Sequence, residues 1–357
     1  MFQSLWKGVA SKVDSFRTLP RLVGETGGKD FVLAHASANA SEVAIALIRG
    51  AFGYQGQKCS AASRAYVPKS LWGAVEQELR DRLAQLKVGD VADFSTFMGA
   101  VIAQASHQKL SRVLSAAKED GAVKVVSGGK TWSDPGYFVE PTVLQVSDPK
   151  HALMTEELFG PILSVFVYED NKWDETLELI DATSPYALTG SIFCTDRFAL
   201  HQAEAALVNA AGNLYLNDKP TGAMIGQQPF GGGRASGTND KAGSYLNLLR
   251  WVSPRTVKET YLPTRDWQFG AKACSAASLR ESHWRAALKQ PLTVGFSRRG
   301  AGSRSNGVGC HHASPERPLR RRLKPAALTL LAPACLSPGQ GFVPVEESPG
   351  SVRRMIG

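Results

Sequence analysis

The sequence predicts an α/β domain built on a mostly parallel sheet, and three observations carry that prediction. Short β-branched runs alternate with longer stretches at helical spacing over the first 240 residues. Apolar residues make up 43% of the 357, a globular share. Charge is also unevenly placed. Residues 1–270 hold 27 basic and 28 acidic side chains, whereas residues 271–357 hold 14 basic side chains and 4 Glu. The net charge of +9 therefore resides in the tail, and the near-neutral body offers no electrostatic footprint for nucleic acid. No apolar run reaches the roughly 18 residues that a membrane helix needs.

The elements follow in order. Phe2, Leu5, Trp6, Val9 and Val13 fall at helical spacing beside Lys7, Lys12, Arg17 and Arg21. This is an ordinary amphipathic helix by pattern, with a transit peptide as the alternative. Phe31–His35 reads as a strand. Ser41 is the candidate N-cap of a helix whose stripe is Val43, Leu47, Ile48, Ala51 and Phe52. Strands are then expected at 65–67, 123–126, 162–168, 188–194 and 213–216, and helices at 71–86, 102–118, 173–181 and 198–210. From 271 onward, 8 Pro and 9 Gly interrupt a Ser- and Arg-rich stretch without periodicity, which reads as disordered. Arg320–Arg322 lacks interleaved aromatics and so makes a poor nucleic-acid patch. Cys310-His-His312 lacks the distant partner a zinc site needs, and no metal is expected. Five scattered cysteines without a CxxC pair form no disulfide framework, which points to a reducing compartment.

Three clusters carry chemistry. Glu25-Thr-Gly-Gly-Lys-Asp30 places a carboxylate at a turn whose two glycines admit close backbone approach; alone, it is equally a tight turn with a solvated Glu. Gly56-Gln-Lys-Cys59-Ser60 sets a cysteine in a glycine-rich loop beside Lys58, a cation expected to favour thiolate. A lone cysteine is otherwise a small buried apolar group. A nucleophilic thiol needs a base, and Glu25 is a better candidate than His35, His107, His151 or His201, which have no motif around them. Glu156-Glu-Leu-Phe-Gly-Pro161 makes a stiff turn that fixes a carboxylate and an aromatic ring ahead of a strand.

Together the three clusters resemble the aldehyde dehydrogenase superfamily, in order and in spacing, over about residues 1–267. Asn217, Pro229–Gly232 and Ser236-Gly237 agree with that family's last catalytic segment. The run from Asn217 to Asp240, with its GQQPFGG and RASGTND, resembles the branch that oxidises L-glutamate γ-semialdehyde in proline catabolism. The resemblance implies NAD as cofactor, Cys59 as nucleophile and Glu25 as base. It implies that Glu157 and Phe159 hold the nicotinamide end, with Lys58 behind the thiol. The backbone of Gly222 and Ala223, with Ser60, would take the substrate carboxylate, and Phe230 would line its aliphatic part. It also implies a homo-oligomer in the mitochondrial matrix, although no clear transit peptide is present.

On this resemblance residues 1–25 are a remnant of a Rossmann-like cofactor domain. Residues 26–240 are the catalytic domain, 241–270 return toward the cofactor and oligomerisation region, and 271–357 are an unrelated tail. The family's oxyanion asparagine, its adenosine-ribose lysine and most of its dinucleotide sheet would lie upstream of Met1, and no GxGxxG is present. The alternative expectation is therefore a truncated form with impaired or no activity, weak NAD binding and exposed apolar surface.

Overall fold

A computed structural model describes residues 1–263. The expectations that fall on 264–357 (the end of the returning segment, the tail, Arg320–Arg322 and Cys310–His312) lie outside the described residues. Residues Met1–Tyr261 form one compact unit. The helices are α1 Phe2–Ala10, α2 Ala40–Phe52, α3 Lys69–Leu83, α4 Gln104–Glu119, α5 Ala152–Thr155, α6 Trp173–Thr183, α7 Arg197–Ala206 and α8 Tyr245–Leu248. The strands are β1 Asp30–Ala34, β2 Ala62–Pro68, β3 Val123–Ser127, β4 Thr131–Trp132, β5 Phe138–Val139, β6 Thr142–Val146, β7 Ile162–Tyr168, β8 Tyr186–Ala187, β9 Thr189–Phe193, β10 Asn213–Leu216 and β11 Gly233–Arg234.

Seven strands make the main sheet, in the order β10-β9-β1-β2-β7-β6-β3. All its pairings are parallel except β3 with β6, as the alternation of strands and helices predicts. Every residue of β1 is buried, which is why its sequence is a short apolar run rather than an alternating one. Successive side chains feed opposite faces. Phe31, Leu33, Tyr66 and Leu144 pack with Leu110, Leu114, Leu177 and Leu200 of α4, α6 and α7. Val32, Ala65, Val67 and Val165 pack with Val43, Leu47 and Phe52 of α2 and with Trp72, Val75 and Leu79 of α3.

The α2 cap is Asn39, not Ser41: the Asn39 side chain accepts from the backbone N–H of Ser41 and of Glu42. Both residue types suit an N-cap, and Asn39, two residues upstream, has the extended backbone that the position requires. The N-terminal helix is shorter than its apolar pattern, and Val13–Ser15 continue it as a 3₁₀ turn. α1 buries no residue, and Leu5 and Trp6 stay exposed. No helix among the described residues is long and apolar enough to cross a membrane.

Candidate active site

The three sequence clusters each lead into a strand, and those strands are neighbours. Glu25–Lys29 enters β1, Gln57–Ala61 enters β2 and Glu156–Pro161 enters β7, with β1-β2-β7 adjacent and parallel. Their entry loops therefore meet at one edge of the sheet. Glycines make the meeting close. A Cβ on Gly28 would overlap the carbonyl oxygen of Cys59 and stand 2.6 Å from Asp30 Oδ2. A Cβ on Gly27 would stand 2.5 Å from Glu157 Oε2. Gly56 has a left-handed φ of 64° and lies against the Gly160 carbonyl. The Gly28 N–H donates to Glu157 Oε1 at 2.9 Å. Lys109 Nζ donates to the carbonyls of Glu157 and Leu158 at 3.0 and 3.2 Å, pinning that loop from α4.

A cavity of about 670 Å³ opens at this edge. Cys59, Ser60, Phe159, Gly222, Ala223 and Phe230 all line it. Glu25 and Glu157 are not among its lining residues. Glu157 sits behind the wall on the Gly27–Gly28 turn, and Glu25 is held beside Gly237 by a bridge in which Thr26 N–H donates to the Ser236 carbonyl at 3.1 Å. Thr26, next to Glu25, does line the cavity. Gly222 has φ 94°, so the turn it makes is open to glycine chiefly. The Ser60 hydroxyl is buried and lies 2.8 Å from Thr221 Oγ1. Thr221, 2% exposed, is a residue that motif reading missed; its place directly before Gly222-Ala223 was the available signal. Ile225 also lines the cavity, as do Gln57 and Gln228, which lie within the sequence motifs without a role read for them.

The electrostatics correct one expectation. Burial raises the Cys59 thiol above its ordinary pKa, and the charges of Asp30, Glu25 and Glu157 push it the same way. The thiol's own backbone N–H opposes them. Lys58 does not supply the cation expected beside the thiol: its Nζ lies near Gly53, and burial and Lys219 lower its own pKa. Nor does a helix dipole help, because Cys59 follows the C-terminal end of α2. Burial raises the Glu25 carboxyl, and Lys241 partly offsets it. Asn217, a residue of the last family segment, is structural: its Oδ1 accepts from Cys194 N–H at 2.9 Å.

A family model described as the aldehyde dehydrogenase family matches residues 6–257. The chain belongs to the aldehyde dehydrogenase family. Among curated relatives of this aldehyde dehydrogenase chain, the mitochondrial Δ1-pyrroline-5-carboxylate dehydrogenase of Danio rerio is 50% identical over 75% of this chain and 48% of its own length. The Homo sapiens protein of the same name is 49% identical over the same shares. Among solved structures, the Δ-pyrroline-5-carboxylate dehydrogenase of Mycobacterium tuberculosis bound with NAD is 50% identical with TM-score 0.70. That match covers 75% of this chain and 49% of the other. The Thermus 1-pyrroline-5-carboxylate dehydrogenase with bound NAD is 38% identical with TM-score 0.60, over 65% of this chain and 44% of the other. The chain spans about half the length of the curated relatives it matches.

Proposed function

We propose that this chain carries the thiol site of an NAD-dependent aldehyde dehydrogenase that oxidises L-glutamate γ-semialdehyde to L-glutamate. One observation supports this reading above the others. The cavity brings the candidate nucleophile Cys59 together with an aromatic wall, Phe159 and Phe230, and with the Gly222-Ala223 turn. The names of the relatives, Δ1-pyrroline-5-carboxylate dehydrogenases, point to the same substrate.

The Cys59 thiolate adds to the aldehyde carbon and forms a thiohemiacetal, whose oxyanion the Cys59 backbone N–H helps to stabilise. The carbon's hydride leaves, and the carbon is oxidised to a thioester. Bound NAD would supply the two-electron acceptor for that hydride, with Glu157 and Phe159 holding its nicotinamide end. Water then attacks the thioester, Glu25 takes its proton, and the C–S bond breaks to restore the thiolate. The raised pKa of Glu25 brings this base closer to neutral operating pH. Gly222 and Ala223 present backbone N–H groups to the substrate carboxylate, with the Ser60 hydroxyl beside them.

The residues at hand fit the nicotinamide end of NAD. Phe159 holds a positive φ of 58° and is 44% exposed at the cavity wall. Glu157 is anchored through one oxygen on Gly28, with the other beside Gly27. The mitochondrial names of the relatives point to the matrix as the compartment.

The test is NADH production from glutamate γ-semialdehyde by the purified chain, with NAD binding measured by calorimetry. Turnover that Cys59→Ser abolishes supports the proposal. Turnover that survives Cys59→Ser overturns it. Absence of NAD binding, with Cys59 still open to alkylation, would favour the second reading, a thiol domain inactive on its own.

A further inference from the structure

Three ionisable side chains lie buried under the candidate site, and the chemistry above uses none of them. Lys29, Asp30 and Arg64 are 1%, 2% and 1% exposed. Arg64 is hydrogen-bonded: Nε donates to the Lys29 carbonyl at 2.8 Å, and Nη1 to Tyr66 Oη at 3.0 Å and to the Ile180 carbonyl at 3.4 Å. Lys29 Nζ donates to Ser63 Oγ at 2.8 Å. Asp30 is different. Its Oδ1 accepts from Thr189 N–H on β9 at 2.7 Å, but its Oδ2 has no partner. An orphaned carboxylate oxygen in a dry interior is costly.

The orphan faces the nucleophile loop. Oδ2 and the carbonyl oxygen of Cys59 both border the space that Gly28 leaves by lacking a Cβ. Both are acceptors, so neither can satisfy the other while the acid is ionised, whereas a proton on Oδ2 makes it a donor beside a main-chain acceptor. The β1–β2 register also shifts at Asp30/Phe31, an irregularity of the kind that re-aims a side chain next to a site.

On the reading of Cys59 as the nucleophile, we infer that Asp30 is a positioning residue: a buried carboxylic acid whose Oδ2–H closes on the Cys59 main-chain carbonyl. Burial pushes the Asp30 carboxyl up to about 8, Glu157 adds to that, and the Thr189 hydrogen bonds and the Arg64 charge oppose it. The charged and titratable groups that face it are Lys29 on its own strand, Arg64 on β2, Glu157 before β7 and the thiol of Cys59. Below its pKa the neutral acid holds the loop. Above it, the hydrogen bond is lost and a negative charge is added beside the thiol, which opposes thiolate formation.

The test is the rate of Cys59 alkylation by iodoacetamide against pH, read by peptide mass spectrometry, in the full chain and in Asp30→Asn. The amide keeps both hydrogen bonds, one accepted and one donated, and cannot ionise. The expected result is equal rates within about twofold at pH 7, and a rate for Asp30→Asn at least about threefold faster at pH 9.5. Profiles that superimpose from pH 7 to 9.5, or that differ by one constant factor, overturn the inference. If Asp30→Asn fails to fold, the ¹³C carboxyl resonance of Asp30 in the unaltered chain decides. A neutral acid at pH 6 supports the inference and an ionised one overturns it. Alkylation needs neither aldehyde nor cofactor, so a chain that makes no NADH still answers the question.

Discussion

Gly28→Ala is the sharpest perturbation of the site. The new Cβ would stand 2.6 Å from Asp30 Oδ2 and overlap the Cys59 carbonyl. The second neighbour is main chain at the nucleophile itself, so relief requires the loop or β1 to move. Overpacking of this kind costs about 1–3 kcal/mol. If Gly28 moves, its N–H also leaves Glu157 Oε1, a charge-assisted bond worth about 1.5–3 kcal/mol. The expected loss is about 2.5–6 kcal/mol, which for a unit of this size lowers the melting temperature by roughly 5–24 °C. Two neighbours calibrate it. Gly27→Ala meets only the end of the Glu157 side chain, which can swing away, so its melting temperature should fall less. Gly8→Ala, on exposed α1 with nothing within 4 Å, should hold or gain stability, by up to about 1 kcal/mol. Thermal unfolding by circular dichroism and Cys59 alkylation give both readouts. A Gly28→Ala protein that melts within about 2 °C of the unaltered chain, with unchanged alkylation, would refute the packing argument.

The remaining predictions are these. Glu25→Gln should slow thioester hydrolysis by about 100-fold or more and acylation much less, read by rapid-quench kinetics; equal losses in both steps would make Glu25 structural. Leu144→Ala, fully buried on β6, should cost about 2–5 kcal/mol in urea unfolding, and a loss under 1 kcal/mol would show that the core collapses around the gap. Burial lowers Lys29 to about 7 from an ordinary Lys value, so folding expels a proton between about pH 7 and 10 and this group's contribution to stability rises with pH there. Asp30, raised to about 8, acts oppositely: folding takes up a proton between about pH 4 and 8, and its contribution falls with pH. Lys29→Met removes only the first effect. Its advantage over the unaltered chain should therefore be largest near pH 6 and shrink toward pH 10; a constant difference in unfolding midpoint would count against a neutral buried amine.

Much of the architecture was legible because local pattern and burial agree. β7 and β10 fall where their apolar runs place them, and the stripe Val43, Leu47, Ile48, Ala51, Phe52 is the buried face of α2. The antiparallel edge β6–β3 was harder: Thr142–Val146 follows a Pro and lies in a stretch without clear periodicity, and β6 went unread. At the site, residue types revealed the motifs but not their electrostatics. Lys58 is adjacent to Cys59 in sequence, yet its ammonium turns toward Gly53, and three carboxyl groups from distant segments act on the thiol instead. Thr221 and Asp30 lie within motif segments, yet no role can be read for them from sequence, because their importance comes from what they touch, Ser60 Oγ and Thr189 N–H, 161 and 159 residues away.

Convergence of the three motifs follows from strand order. Each motif precedes its strand, and in a parallel sheet all entry loops share one edge, so β1-β2-β7 adjacency brings residues 25–30, 56–60 and 156–161 together whatever separates them in the chain. Open α/β sheets usually place ligands outside the carboxyl ends of their strands. Here the cavity opens at the amino edge, and the segment after β10 doubles back to reach it, where Thr221 Oγ1 meets Ser60 Oγ. The site therefore depends on register more than on loop length. A slip of β1 against β2 by about 3.3 Å that brought Lys29 to the Gly28 position would set a side chain against the Cys59 carbonyl. The pairing of Phe31 with Arg64, Val32 with Ala65 and Leu33 with Tyr66 holds that slip off, because it would turn two apolar faces inside out. The core that stabilises the sheet is thus also what aligns the nucleophile loop with the turn that carries Glu25.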